Sequence, residues 1–331
     1  MEANSSIVLS IIVPFYNEEE SLPGLLQALR PVMDALPYTC EALFIDDGSS
    51  DRGSVLISEA ADADPRLKLI RFKKNTGQTA AWAAGIDFAE GHILVFLDAD
   101  LQNDPQDIPL LVQKIQDEGY DVVSGWRKNR QDDYASRVLP SQLANSLISW
   151  VTGVNLHDYG CSLKAYRADL IKNVRLYGEM HRFLPAYAAI EGGKILEMPV
   201  RHHPRRHGRS KYGLGRTFKV LLDLITVKFL GGFSTKPLYA FGSLGGISFL
   251  MGLASLAVVA YRVLILQRTE ATPLVFMMVV FFIAALQFIM MGLLAELIVR
   301  TYHEAQSKTI YKIASLKNLE DKRPRRFRLN R

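Results

Sequence analysis

Two long apolar stretches close to the C-terminal end constrain this chain more than any other feature. Pro237–Tyr261 and Leu274–Val299 each contain about 25 residues and almost no charge, and a helix needs roughly 20 apolar residues to cross a bilayer. The segment between them is polar, with Arg262, Gln267, Arg268, Thr269 and Glu270. A pair of buried core helices is the alternative, but two such stretches in tandem favour a transmembrane hairpin.

A hairpin of two spans returns the chain to the side of the membrane from which it started. The first residues, MEANSSIVLSIIVPFYNEEE, lack the basic region of a signal peptide and are typical of a first strand. We therefore expect the N-terminal part to be cytoplasmic. The positive-inside rule agrees weakly with this orientation, because the basic residues outside the hairpin outnumber those between its spans: Lys228, Lys236, Arg300 and Lys308 against Arg262 and Arg268.

The chain before the hairpin alternates between strand-like and helix-like segments. Short apolar runs rich in β-branched residues lie at Ile7–Val13, Ala42–Ile45, Leu67–Phe72 and Ile93–Leu97. Helix-compatible segments separate them, at Glu19–Leu36, Arg52–Ala63 and Thr79–Ala89. This alternation predicts an α/β domain with a mostly parallel, Rossmann-like sheet covered on both faces.

Polar clusters follow three of these predicted strands. Asn17 and Glu18 come after the first strand, Asp46–Ser49 after the second, and Asp98–Asp100 after the fourth. Ligands of open α/β sheets bind at the carboxyl ends of the strands. We therefore expect these clusters to meet in one crevice.

The sequence Asp98-Ala99-Asp100 is the strongest candidate for chemistry. Two carboxylates separated by one residue, just beyond a strand end, can present oxygen atoms to one hard divalent cation. Such a cation offsets the charge that develops on a departing nucleoside diphosphate. The acidic turn Asp46–Asp51 after the second strand can serve a ligand, or its Ser50 or Asp51 can cap the following helix.

The segments SIIVPFYNEE, FIDDGSSD and FLDADLQNDP together resemble the inverting GT-A glycosyltransferases of family 2. Within that family the chain is similar to dolichyl-phosphate mannose synthase and to bacterial polyprenyl-phosphate glycosyltransferases with a C-terminal membrane hairpin. The resemblance implies a GT-A catalytic domain and a nucleotide-sugar site lined by Pro14, Tyr16, Glu18, Asp46 and Asp47. It also implies that Mg²⁺ or Mn²⁺ and the donor diphosphate are held by Asp98, Asp100 and Gln102.

The resemblance extends to the acceptor side. It implies that Arg127 and Arg137 contact the lipid phosphate, which the planar fork of arginine suits, and that a functional acid lies at Asp158. A phosphate monoester is largely dianionic at neutral pH because its second pKa is near 6. We therefore expect Asp158 to orient the sugar or the acceptor phosphate, with base catalysis secondary. His157 and Cys161 are expected to be structural.

The densest cationic run of the chain lies at 201–212, RHHPRRHGRSKY. In the family the corresponding loop closes over the donor diphosphate and the acceptor phosphate, which implies roles for Arg206, Arg209, Ser210 and Lys211. A juxtamembrane patch that attracts anionic lipid is the alternative. With Asp100 and Asp158, Arg206 and Lys211 are the predicted catalytic residues. Three histidines without a clear fourth ligand do not indicate zinc.

These observations divide the chain into a catalytic domain at 1–213, an interfacial helix at 214–233, a hairpin at 234–302 and a basic cytoplasmic tail at 303–331. The apolar face of Leu214–Phe229 supports the interfacial helix, and Leu139–Val151 is a second candidate. The net charge of +5 lies mainly at 201–216 and at the C-terminus, which indicates local contact with anions and not a nucleic-acid-binding protein. The only cysteines, Cys40 and Cys161, provide no disulfide framework and fit a reducing compartment.

The resemblance implies metal-dependent transfer of a sugar to undecaprenyl phosphate by a single inverting displacement, at a bacterial inner membrane. UDP-glucose is the expected donor, with a UDP-linked 4-amino-4-deoxy-arabinose derivative and GDP-mannose as alternatives. The product would serve surface glycan synthesis. A membrane-tethered protein that binds nucleotide-sugars without catalysis is the alternative of a different class. Small faces at Gly242, Gly245, Gly246 and Gly252 are compatible with a homo-oligomer.

Overall fold

The computed structural model describes residues 7–128, 145–146, 148–150, 152–172, 174, 176, 180–204, 237–267, 273–305 and 310–320. The chain forms two compact units. One contains Met1–Val227 together with Lys308–Arg331, and the other contains Lys228–Ser307. The interfacial helix predicted at 214–233 lies outside the described residues. Of the second candidate, the described residues 145–146 and 148–150 are helical, with Ile148 buried and Trp150 81% exposed.

The first unit is built on an eight-stranded mixed sheet with the order β7-β5-β6-β4-β1-β2-β3-β8. Its strands are β1 (Leu9–Phe15), β2 (Cys40–Asp46), β3 (Leu67–Phe72), β4 (Ile93–Phe96), β5 (Val122–Trp126), β6 (Lys164–Arg167), β7 (Ile195–Pro199) and β8 (Ile313–Lys317). Its helices are α1 (Leu22–Ala35), α2 (Gly53–Ala63), α3 (Gln78–Phe88), α4 (Ile108–Glu118), α5 (Ala168–Ile171) and α6 (Leu184–Ile190). Pairing is parallel except on both sides of β6 and between β3 and β8.

Helices cover both faces of the sheet, as the near-continuous apolar strands require. Successive residues of a strand point to opposite faces, and β1 is buried along its whole length. Leu9, Ile11 and Val13 pack with apolar residues of α1, α2 and α4. Ile12 packs on the other side with residues of α3, among them Trp82. The first strand is therefore the centre of two hydrophobic cores.

The strand order reverses between β1 and β4. Connections from β1 through β2 to β3 proceed in one direction, whereas β4 lies on the other side of β1. Pairing of β1 with β4 ends at Ile12 and Phe96, but pairing with β2 continues to Phe15 and Asp46. Pro14 lacks an N–H donor and lies beyond the last β4 partner. The carboxyl ends of β1 and β4 thus border the crevice in which sheets of this type bind ligands.

The C-terminal segment contains a strand that the sequence analysis missed. That analysis placed a basic tail at 303–331, but β8 pairs antiparallel with β3 and forms the edge of the sheet. The ring of Tyr311 stacks on Phe72 with centroids 5.2 Å apart, and its hydroxyl donates to Asp87 Oδ2 at 2.7 Å. Asn318 Nδ2 donates to two backbone carbonyls at the end of α2 and the start of β3. The compact sheet unit therefore includes residues from both sides of the hairpin.

The second unit contains two apolar helices, α7 (Pro237–Leu264) and α8 (Pro273–Ala305). Phe241–Leu264 and Pro273–Ala295 are long and apolar enough to cross a membrane. The helices pack closely where a Cβ on Gly252 would lie 3.0 Å from the ring of Phe282. Many of their large apolar side chains are exposed, such as Leu250 at 65%. An extensive exposed apolar surface indicates contact with lipid or with another protein.

Candidate active site

The carboxylates of Asp98 and Asp100 lie on a tight turn directly after β4. The N–H of Leu97 donates to the carbonyl of Ile12 and fixes the start of this turn beside β1. Leu101 then adopts a φ of +62°, a left-handed conformation that side chains other than glycine rarely adopt. The N–H of Gln102 donates to Asp100 Oδ1 at 3.2 Å. Gln78, the first residue of α3, donates from Nε2 to Asp98 Oδ1 at 2.9 Å.

This turn has the chemistry of a magnesium or manganese site. Carboxylate and amide oxygens are hard ligands, and Mg²⁺ in particular is usually held by one or two carboxylates together with substrate phosphates and water. Within the described residues, no group of three or more His, Cys, Asp or Glu side chains is placed to hold a metal ion. Asp98 and Asp100 are two such carboxylates, and they fit a cation that takes its other ligands from a bound diphosphate and water.

The loops after β1 and β2 are tied together by reciprocal hydrogen bonds. Asn17, at a φ of +54°, donates from its N–H to Ser49 Oγ and accepts from the N–H of Ser50 at 2.9 Å. Glu19 exchanges equivalent bonds with the segment Asp51–Arg52. The sequence analysis noted Asn17 without assigning it a role, although asparagine in the left-handed region is a signal of a tight turn.

The predicted nucleotide-binding residues differ in exposure. Pro14 is buried within β1, whereas Tyr16 and Glu18 are half-buried in the loop that follows. Glu18 Oε2 accepts from Ser21 Oγ at 3.1 Å. Asp46 has an exposed fraction of 0%. Its oxygens accept hydrogen bonds from Ser49 N and Ser54 Oγ, and Arg71 Nε forms an ion pair with it at 3.3 Å. Asp46 thus holds the turn together, and its assignment to the nucleoside pocket stays a prediction.

Asp47 connects the β2 loop to the loop that precedes α3. Its two oxygens accept from the N–H groups of Thr76 and Gly77 at 2.7 and 2.8 Å. Burial raises the pKa of this carboxyl, and the two backbone hydrogen bonds oppose that rise. Because Gly77 directly precedes Gln78, Asp47 helps to fix the amide that contacts Asp98. Asp47 therefore supports the Asp98–Gln102 turn through the backbone.

The predicted acid Asp158 and the predicted phosphate ligand Arg127 form a buried ion pair. Arg127 donates from Nε to Asp158 Oδ2 at 2.7 Å and from Nη2 to Oδ1 at 2.8 Å. The side chains of Arg127 and Asp158 are 14% and 4% exposed. A bidentate pair in this geometry fixes the orientation of both groups. The structure therefore joins two residues to which the sequence analysis gave separate roles.

Glu197 on β7 supports this pair, and no sequence pattern pointed to it. Its Oε1 accepts from the backbone N–H of Asp158 at 2.9 Å, and its Oε2 lies 2.7 Å from His157 Nδ1. The imidazole of His157 stacks on the indole of Trp126, with ring centroids 4.5 Å apart. His157 is thus held by two neighbours, as expected of a structural residue.

The Asp98–Gln102 turn and the loop that contains Asp158 are connected through Asn103. The Nδ2 of Asn103 donates to Ser162 Oγ at 2.7 Å, and both side chains are buried. Cys161 is also buried, and desolvation raises the pKa of its thiol to about 12. This environment indicates an inert thiol.

The cationic run at 201–212 begins beside the Asp98–Gln102 turn. Arg201 contacts Asp107 through its backbone N–H, at 2.7 Å, and through its guanidinium, at 2.8 Å. The N–H of His203 donates to the carbonyl of Gln102 at 2.8 Å. The start of the run is therefore attached to the segment that follows Asp100. The predicted site residues Arg137, Arg206, Arg209, Ser210 and Lys211 lie outside the described residues.

A mostly parallel sheet with a pair of carboxylates at its reversal point is the architecture of a nucleotide-sugar-dependent transferase of the GT-A type. Comparison with known proteins identifies the family. The model described as Glycosyl transferase family 2 matches residues 10–175. The chain belongs to this family and is a glycosyltransferase.

Two relatives match nearly the whole chain. One is the dodecaprenyl-phosphate galacturonate synthase of Rhizobium johnstonii, 43% identical over 92% of this chain and 92% of its own length. The other is the undecaprenyl-phosphate 4-deoxy-4-formamido-L-arabinose transferase of Edwardsiella ictaluri, 37% identical over 93% of this chain and 94% of its own length. Both alignments are long enough to include most of the apolar hairpin.

A solved structure is similar in fold. Glucosyl-3-phosphoglycerate synthase from Mycobacterium tuberculosis, in complex with Mn²⁺, UDP and phosphoglyceric acid, matches with a TM-score of 0.52 over 68% of this chain and 78% of that chain. The sequence identity is 18%, so the similarity concerns the fold alone. It confirms the predicted GT-A α/β fold.

Proposed function

We propose that this glycosyltransferase moves a sugar from a nucleotide-sugar to a polyprenyl phosphate. The observation that carries the proposal is the similarity to two polyprenyl-phosphate sugar transferases over more than nine tenths of the chain. A soluble acceptor would not require the hairpin, whereas a lipid acceptor gives the two apolar helices a role. The paired carboxylates at the reversal point of the sheet supply the donor side of the site.

On the donor side, Asp98 and Asp100 would hold a divalent cation together with the diphosphate. Bound there, Mg²⁺ or Mn²⁺ supplies positive charge that stabilises the departing nucleoside diphosphate. Gln78 orients Asp98 through its 2.9 Å hydrogen bond, and Gln102 closes the turn on Asp100. The cationic run starts at this turn, which supports the assignment of Arg206, Arg209, Ser210 and Lys211 to the phosphates.

On the acceptor side, the buried pair of Arg127 and Asp158 supports positioning over base catalysis. A carboxylate that already accepts two guanidinium hydrogen bonds is poorly suited to accept a proton. The acceptor phosphate does not need a base, since it is largely dianionic at neutral pH. Asp158 would thus hold the guanidinium of Arg127 in place for the phosphate, with Arg137 as the further predicted phosphate ligand. One oxygen of that phosphate displaces the nucleoside diphosphate directly and inverts the anomeric centre.

The relatives support a donor sugar other than the expected glucose. Their names specify galacturonate and 4-deoxy-4-formamido-L-arabinose. D-Galacturonate and L-arabinose have the same ring configuration at C2, C3 and C4, and differ from glucose at C4. We therefore propose a UDP-linked sugar of this galacto configuration, with galacturonate first because that relative has the higher identity. The arabinose derivative was an alternative of the sequence analysis, and glucose and GDP-mannose become comparison donors.

The catalytic unit is proposed to lie on the cytoplasmic side of the membrane, in bacteria at the inner membrane. Residues before and after the hairpin belong to the same sheet unit, so the chain between them must cross the membrane an even number of times. The two candidate spans found within the described residues meet this requirement. The basic residues around the hairpin favour the cytoplasmic side.

The test is transfer of radiolabelled sugar to undecaprenyl phosphate by the full chain in detergent. Donors would be UDP-galacturonate, UDP-4-deoxy-4-formamido-L-arabinose, UDP-glucose and GDP-mannose, each with Mg²⁺, with Mn²⁺ and with EDTA. We expect metal-dependent label in the lipid phase from a galacto-configured donor, lost in Asp98→Asn. Glu118→Gln, which removes an equal charge from the surface of α4, should keep full activity. Nucleotide-sugar binding without lipid-phase label from any donor would contradict the proposal and favour a non-catalytic binding protein.

A further inference from the structure

A lysine is buried in the sheet next to the pair of Arg127 and Asp158. Lys164 is the first residue of β6, and its exposed fraction is 1%. Its register partners are Phe96 on β4 and Ser124 on β5. Directly paired residues project from the same face of a sheet, so Ser124 lies beside Lys164. The Ser124 hydroxyl is fully buried and has no hydrogen-bond partner among the described residues. The lysine therefore lies between an apolar neighbour, Phe96, and a buried hydroxyl.

The ammonium group is energetically unfavourable at this position. The pKa of Lys164 is lowered to about 8, chiefly by burial; Arg127 and Arg182 contribute to the lowering, and Asp158 opposes it. A Cys161 thiolate would also oppose the lowering, but that thiol is protonated at neutral pH because its own pKa is about 12. Burying a cation without compensation is costly. A methionine of similar length would avoid this penalty, so the lysine needs a reason that packing alone does not give.

The contacts of Lys164 point to the Asp158 loop. Its Nζ donates to the backbone carbonyl of Tyr159 at 2.9 Å, and Tyr159 directly follows Asp158. The same loop is held at two further points: Glu197 accepts from the N–H of Asp158, and Arg127 binds its carboxylate. Lys164, on β6, holds the loop from the interior of the sheet unit. Three charged side chains, one directly after β5 and the others on β6 and β7, therefore converge on residues 158 and 159.

We propose that Lys164 is a positioning residue of the acceptor site, which holds the Asp158 loop through the Tyr159 carbonyl and so sets the orientation of the Arg127 guanidinium. The inference rests on the proposed function, in which Arg127 contacts the acceptor phosphate. Without the lysine, the 158–160 backbone can shift, and Arg127 shifts with the carboxylate that binds it. Misplacement of about 1 Å at a reacting group reduces rates by about a hundredfold.

The experiment compares steady-state transfer to undecaprenyl phosphate by the full chain and by three variants. Lys164→Met removes the ammonium and the hydrogen bond at similar length. Lys164→Arg retains a cation and donors for the Tyr159 carbonyl. Lys68→Met is the matched control, because Lys68 is 12% exposed and paired with buried Glu41 at the opposite end of the strands. Melting temperatures are recorded for each variant.

We expect Lys164→Met to lower kcat/KM for undecaprenyl phosphate by about a hundredfold, through a lower kcat or a higher KM. The KM for the nucleotide-sugar should change by less than about twofold. Lys164→Arg should recover at least about tenfold of that loss. Lys68→Met should keep the kinetic constants of the wild type per folded molecule, whatever its melting temperature.

Wild-type kinetics in Lys164→Met would overturn the inference. The inference would also be overturned if Lys164→Met changed the KM for the nucleotide-sugar and the KM for undecaprenyl phosphate equally, and if Lys68→Met gave the same change at the same loss of melting temperature. If Lys164→Met does not fold, Lys164→Leu replaces it, because leucine also removes the donor to the Tyr159 carbonyl, and the same split between the two KM values is expected. A wild-type protein that transfers no sugar to the lipid would contradict the proposed function itself, and the inference with it.

Discussion

Removing one partner of the ion pair of Arg127 and Asp158 should strongly destabilise the sheet unit. Its two N···O distances are 2.7 and 2.8 Å, and its side chains are 14% and 4% exposed. Removing one partner of a buried pair costs about 3–5 kcal/mol because the other charge stays buried. After Asp158→Asn the neighbouring Lys164, whose pKa is already lowered to about 8, can lose its proton and relieve part of the repulsion. We therefore expect the lower end, about 3 kcal/mol.

A double-mutant cycle of Asp158→Asn with Arg127→Met separates the interaction energy of the pair from the contacts that each side chain makes with other residues. One kcal/mol changes the melting temperature of a unit of this size by about 2–4 °C, so Asp158→Asn should lower it by about 6–12 °C. Arg127→Met should have a similar effect. The double variant should be more stable than additivity predicts by about 2 kcal/mol, because it leaves neither charge unpaired.

The assay is thermal unfolding of the full chain in detergent, followed by tryptophan fluorescence. Glu118→Gln is the control, since it breaks an exposed pair with Lys114 on α4 and should change stability by less than about 1 kcal/mol. A melting temperature for Asp158→Asn equal to that of Glu118→Gln would refute the reasoning. Additive effects of the two single variants, within about 0.5 kcal/mol, would also refute it.

Three further predictions concern the β2 loop, β8 and the thiols. Gly48 has a φ of +74°, and a Cβ there would lie 2.5 Å from the Lys74 carbonyl carbon. Gly48→Ala should therefore lower the free energy of unfolding by more than about 2 kcal/mol and weaken nucleotide binding measured by calorimetry. Unchanged binding would contradict this. Tyr311→Ala should lower stability by about 3 kcal/mol in thermal unfolding and Tyr311→Phe by about 1 kcal/mol, since only the alanine removes the stack on Phe72; equal losses would contradict the stacking. Cys40 and Cys161 are buried, and burial raises the pKa of both thiols. The folded protein should therefore react with a thiol reagent at pH 8 far more slowly than the unfolded chain, in which two thiols should react. Rapid reaction of the folded protein would show that the thiols are accessible.

The first four strands, and the position of Asp98 and Asp100 beyond a strand end, could be predicted because their signals are local. β3 occupies Leu67–Phe72, as predicted, and β4 ends one residue before its predicted limit. An apolar run bounded by polar residues specifies a buried strand without reference to the rest of the chain. Asp98 and Asp100 follow such a run directly, so their position at a strand end needs no tertiary information.

The interactions that shape the acceptor side could not be predicted from the sequence in this way. Arg127 and Asp158 are 31 residues apart, and Asp158 and Glu197 are 39 residues apart. Only the order of β5, β6 and β7 in the sheet brings these side chains together, and strand order leaves no periodic signal. For the same reason β8 was missed: a five-residue edge strand with two exposed positions resembles a polar tail until its partner β3 is known.

The most direct test of the central claim is the identity of the product made from UDP-galacturonate and undecaprenyl phosphate. Mass spectrometry of the lipid extract would distinguish transfer from hydrolysis of the donor. The account predicts undecaprenyl phosphate carrying one galacturonosyl group in the presence of Mg²⁺ or Mn²⁺, with a β-linkage if the donor is an α-anomer, because a single displacement inverts the anomeric centre. If all donors that bind yield only free sugar and unmodified lipid, the chain does not use polyprenyl phosphate as its acceptor.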